Sequence, residues 1–111
     1  MSFHQNQLWQ DGYTALLDLH GALEGDFEES EKEINEDLLE SATALSAKIA
    51  DGLSRLDRRF GRQVLMDAIG MVAVVRTHLA VAWGRGILSD ETFKELDAKY
   101  DTLSLSLQNY R

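Results

Sequence analysis

Three histidines, nineteen carboxylates and no cysteine bound the chemistry open to this chain. A carboxylate-bridged di-metal bundle needs Glu-x-x-His pairs, because that spacing sets both ligands on one face of a helix. Three positions before His4, His20 and His78 stand Met1, Leu17 and Val75, so no histidine qualifies. No two histidines are four apart, which removes the helical zinc pair, and the missing thiols remove cysteine-zinc sites and thiol nucleophiles together. His20, close to an apolar stripe, reads as a structural histidine. Glu33, Glu36 and Glu40 have helical spacing that could hold a hard cation, but the run around them is so acidic that a solvated face accounts for them. There is no Gly-x-Ser-x-Gly nucleophile turn, and Gly84-Arg85-Gly86 is too short for a phosphate loop. The expectation is no catalytic residue, no cofactor, no metal and no small-molecule substrate.

One cluster keeps a capacity to bind. Arg55, Arg58, Arg59 and Arg62 gather around the start of a helix, where positive charge opposes the helix dipole. Guanidinium groups beside helix-start amides could hold a phosphate, a nucleic acid or an acidic subunit, while a solvated basic corner is the plainer reading. A net charge of −8 and a pI near 4.7 predict weak non-specific affinity for a polyanion. Trp9, Tyr13, Trp83 and Tyr100 could line a pocket, but aromatic residues at helical spacing read as core.

The elements that would position these groups are helices. At 111 residues the chain suits one domain, 1–111, and the lack of proline favours long uninterrupted helix. Apolar residues at spacings of three and four mark four helices, approximately 3–23, 30–55, 57–84 and 89–109. Trp9, Tyr13, Leu16, Leu17, His20 and Leu23 form the first stripe, which ends at the glycines 21 and 25. Ser30 with Glu33 reads as a capping box for the second helix, Asp57 as the cap of the third, and Ser89 as the cap of the fourth. Short connections make neighbouring helices antiparallel, so the fold class is all-α, an up-down-up-down four-helix bundle.

The third helix is apolar almost all round, which predicts burial on more than one face. Val64 to Trp83 is long enough to suggest a membrane span, but Asp67, Arg76 and His78 interrupt it, and a buried soluble helix is expected instead. Either it is central within its own bundle, or its surplus apolar surface also faces a second subunit, with Met71, Val74, Val75 and Val81 as the expected interface. Ala42, Ala47, Ala50, Gly52, Gly61 and Gly70 would permit close helix approach. The antiparallel order also segregates charge. Residues 18–37 and 76–97 meet at one pole with thirteen acidic and four basic side chains, a net −9, leaving +1 elsewhere. Met1 to Asn6 carries no basic cluster leading into an apolar run, and with no cysteine the expected location is cytoplasmic.

From Lys48 to Leu88 the chain resembles the four-helix-bundle family of 23S ribosomal RNA intervening-sequence proteins, also called S23-like. Lys48-Ile49-Ala50-Asp51-Gly52 followed by Arg55 is similar to the family's Asn-Ile-Ala-Glu-Gly motif, and Ala68-Ile69-Gly70-Met71 to its Ala-x-Gly-Ser. Arg85-Gly86-Ile87-Leu88 resembles the closing Leu-Gly-Tyr-Leu, and Leu8-Trp9-Gln10 the usual opening. Lys48 for Asn, Met71 for Ser, Val74 for Glu and the missing proline before helix two mark a divergent member. The resemblance implies a compact bundle that assembles into a ring-like homopentamer without catalytic activity. Members of the family occur inside ribosomal RNA insertions, and a related accessory protein of diversity-generating retroelements binds nucleic acid through a basic surface. The leading expectation is a self-associating interaction scaffold. The alternative is a nucleic-acid accessory factor that binds RNA or DNA through the arginine rim.

Overall fold

Helix ends leave backbone amides and carbonyls without partners, and side chains that satisfy them set where each helix begins. The computed structural model describes residues 2–110. After a short 3-10 turn, Phe3–Gln5, Asn6 caps α1 (Gln7–Ala22), its Oδ1 accepting from the Leu8 amide at 2.8 Å. Gly25 takes a φ of +130°, a conformation that glycine alone adopts cheaply, and the chain is already extended at Glu28. α2 (Glu29–Ser54) therefore starts before the Ser30 cap read from sequence. The capping box belongs to Glu28 and Glu31, with the Glu31 carboxylate accepting from the Glu28 amide at 3.1 Å. Asp57 caps α3 (Arg58–Gly84) by accepting from the amides of Arg59 and Phe60. Gly86, at φ +77°, turns the chain out of α3 while the Ile87 amide donates to the Ala82 carbonyl at 2.9 Å. Ser89 then caps α4 (Asp90–Gln108), its Oγ accepting from the Thr92 amide.

These four helices form an antiparallel up-down-up-down bundle of 45 × 21 × 20 Å. α1 packs on α2 and α4, α3 packs on the same two, and neither diagonal pair makes a close backbone approach. Long-range pairs set the directions: Arg76 of α3 reaches Asp97 and Asp101 of α4, Lys99 of α4 reaches Asp18 of α1, and Asn6 lies beside Tyr110. Leu19, Leu38, Leu45, Ile49, Val72, Val75, Leu79, Tyr100 and Leu103 are fully enclosed between the helices. Each such side chain contributes about 1.5–3 kcal/mol through burial, against the conformational entropy lost in ordering it.

Only one of the four expected core aromatics is core. Tyr100 is buried, whereas Tyr13 and Trp83 are exposed and Trp9 is half-buried. The inward seam of α1 is Leu8, Gly12, Ala15, Leu16, Leu19 and Leu23, so Tyr13, Leu17 and His20 lie off it, and His20 is exposed rather than structural. The outer aromatics stack in pairs: Trp9 on Tyr13 at 4.8 Å, and Trp83 on Phe93 at 4.5 Å, with the Trp83 indole donating to Asp90.

Two contrasts are open to measurement. A Cβ added to Gly12 would meet Ile49 and Leu103 at 3.5 and 3.6 Å, ordinary contact distances, so Gly12→Ala should raise stability by about 1 kcal/mol through helix propensity. At Gly61 the same atom would stand 2.5 Å from the Gly52 carbonyl oxygen, and Gly61→Ala should lower stability by about 1–3 kcal/mol. Urea denaturation of both variants checks the opposite signs.

The Tyr100 hydroxyl is enclosed without a hydrogen-bond partner among the described residues, and burial, helped by the charge of Asp18, pushes its pKa well above the ordinary 10.0. The folded state keeps this proton where the unfolded chain releases it, so the contribution is intact below about pH 10 and is lost as pH rises further. Tyr100→Phe should weaken the alkaline loss of stability, read from denaturation midpoints between about pH 8 and 11.

Candidate functional site

The arginines read from sequence come together at the α2–α3 corner. Arg55 ends α2 and bonds Asp51, one turn earlier, through Nε at 2.7 Å and a second guanidinium nitrogen at 3.2 Å. That guanidinium holds the Asp51 carboxyl below its ordinary value, and Asp51 in turn raises Arg55. Arg55 also lies over the Phe60 ring, 5.3 Å from its centroid, so it is fixed by two partners. Arg58, Arg59 and Arg62, on the first two turns of α3, have no carboxylate partner among the described residues. With Gly52, Leu53, Gly61, Leu65 and Tyr110 these arginines line a cleft of about 580 Å³. Tyr110, just beyond α4, closes one side, and its hydroxyl accepts from Asn6 Nδ2 at 3.4 Å. Leu56, at the tip of the turn, is fully exposed.

One part of the expected anion site is missing. The carboxylate of Asp57 already satisfies the first amides of α3, so the helix start offers a negative side chain there rather than open donors. The cationic groups at this corner are side chains alone.

The same corner explains the sequence motif at positions 48–52. Ile49 is fully buried, Asp51 anchors Arg55, and Gly52 lets α3 approach so closely that a Cβ there would stand 2.7 Å from Leu65 and 3.0 Å from the Gly61 carbonyl oxygen. Gly52 and Gly61 thus serve contact between helices of one chain. Ala42 is likewise inside the core, while Ala47 and Gly70 are exposed.

α3 divides into two faces. Leu65, Ala68, Val72, Val75, Leu79 and Ala82 point into the bundle, and Met66, Asp67, Gly70, Ala73, Val74, Thr77, Ala80 and Val81 are exposed on the outside. The expected interface set is corrected accordingly. Val75 is 0% exposed and Met71 packs partly against the core, whereas Val74 and Val81 are 50% and 45% exposed. Successive helical residues turn through about 100°, so Val74 and Val75 cannot both face outward. Met66 and Ala73 were legible by counting eight positions back from Val74 and Val81, and Ala80 by counting seven on from Ala73. By length and composition α3 could cross a membrane; within the single chain its inner face is buried and its outer face is open.

The far pole gathers the acidic side chains of residues 18–37 and 76–97. His78 there is half-buried in a shallow recess with Asp37, Glu40 and Ser41. Among the described residues no three metal-ligating side chains meet at one point. Comparison with known proteins finds no family model that matches this chain and no curated protein that matches it.

The two faces of α3 predict a sharp contrast between neighbours. Val75→Ala should cost about 2–3 kcal/mol through the cavity it leaves, and Val74→Ala no more than about 0.5 kcal/mol. Chemical denaturation of the two variants measures the difference.

Proposed function

We propose that the protein is a non-enzymatic, self-associating helical scaffold whose copies meet through the outer face of α3. The observation that carries this reading is the strip of exposed, uncharged residues from Gly70 to Gly84, with Val74 and Val81 about half exposed along it. At 1.5 Å per residue the strip runs about 21 Å, long enough for a helix-on-helix contact between subunits. Gly70 and Ala73 keep it low, so a neighbouring backbone can come close, while Val74 and Val81, with Met66 one turn before the strip, supply the apolar area. Arg76, at the margin of the strip, is tied to Asp97 and Asp101 of its own chain, which leaves no free cation to be buried in the contact.

The resemblance to the S23-like family supports a closed ring, five copies by that analogy, in which the outer face of α3 meets a different surface of the next subunit. A chain free of cysteine suits the reducing cytoplasm. The partners of such a scaffold are copies of itself.

Light scattering on the purified protein tests this reading. The expected mass is a multiple of 12.5 kDa, falling to that of one chain when Val74→Glu and Val81→Glu are combined, with the far-ultraviolet dichroism of the helices unchanged. A wild-type mass equal to a single chain would overturn it.

A further inference from the structure

We propose that the cleft between the α2–α3 corner and the end of α4 binds a soluble organic phosphate of nucleotide size. Arg58, Arg59 and Arg62 open onto one cleft with no carboxylate partner among the described residues. Of the carboxylates near them in the chain, Asp51 is committed to Arg55 and Asp57 to the amides of α3, and Asp67, five residues beyond Arg62, makes no ion pair with it. Three cations without a carboxylate partner among the described residues, on two turns of a helix, repel one another, and a multiply charged anion relieves that repulsion. Guanidinium forks match the oxygens of a phosphate in pairs, so a phosphate answers this set better than a single carboxylate does.

The cleft is also too large for a bare anion. Its volume of about 580 Å³ falls within the range of small-molecule sites, and Leu53, Leu65 and Tyr110 give it an apolar wall on which the body of a ligand can rest. The Tyr110 ring is held in place by the contact with Asn6.

Charge placement favours a small ligand over a polymer. The bundle is 45 Å long, and the acidic pole lies at its other end, several screening lengths away at about 8 Å each in physiological salt. A small anion in the cleft therefore meets the arginines without the acidic pole. A nucleic-acid strand laid along the molecule would run onto it. None of this depends on the outer face of α3, so the site and the self-association stand or fall separately.

Calorimetry at low salt on the full chain, with ATP and inorganic pyrophosphate as probes, tests the proposal. ATP should bind more tightly than pyrophosphate because its body reaches the apolar wall. Replacing Arg58, Arg59 and Arg62 together by Gln should weaken both probes by about tenfold or more. All three side chains are exposed, and an unchanged dichroism spectrum confirms that this variant folds. Tyr110→Ala should weaken ATP by about three- to tenfold while leaving pyrophosphate within about twofold. Four results would overturn the proposal: no binding of ATP, binding unaffected by the arginine substitutions, ATP no tighter than pyrophosphate, or affinity for single-stranded RNA that exceeds that for ATP and grows with strand length. Capture by phosphatidylglycerol vesicles, lost in Leu56→Ser and unaccompanied by ATP binding, would also overturn it, assigning the corner to a lipid surface.

Discussion

At Gly52 and Gly61 the backbones of α2 and α3 touch, and the shape of the molecule at its basic end follows from that contact. With a side chain at either position the carbonyl oxygens of the facing helix, or Leu65, would be struck. Because the two helices close so tightly there, the short turn through Leu56 and Asp57 brings the end of one helix directly beside the start of the next. Arg55 at the end of α2 and Arg58, Arg59 and Arg62 at the start of α3 are thereby forced to one corner. Asp51 and Asp57 keep the corner in order, one by holding Arg55 and the other by satisfying the amides of α3. The cationic cleft is thus a consequence of helix packing.

Segregation of charge has a similarly simple origin. A chain of −8 whose charges were mixed would repel anions from every side. Here the up-down-up-down order places most carboxylates at one pole, early in α2 and α4, where they also complement the helix dipoles. Over a length of 45 Å in physiological salt the two ends are electrostatically nearly independent. Net charge is therefore a poor guide to what the basic end meets.

α3 carries the other asymmetry. Its inner face supplies Leu65, Ala68, Val72, Val75, Leu79 and Ala82 to the core, and Ile69 and Met71 pack against it. The remainder, from Met66 through Val74 to Val81, is not needed to hold this chain together. That surplus is what the self-association reading rests on. Isolated surface apolar residues are ordinary, but from Gly70 to Gly84 the exposed residues of α3 carry no charge.

Much of the fold was legible in the residues themselves. Four apolar periodicities and the caps Asp57 and Ser89 are local features, governed by contacts within a few residues, and they appear at the places expected of them. The arginine cluster was legible for the same reason. What tertiary packing decided was direction. Which of Val74 and Val75 is outside, whether Tyr13 and Trp83 are core, and whether His20 is enclosed all depend on how far each helix is rotated about its axis, and neighbouring helices set that rotation. The cleft at the arginines belongs to the same class, since its wall is completed by Tyr110, about fifty residues further along the chain. Local sequence chooses the helix and its ends. The angle at which the helix is seated is a property of the whole core.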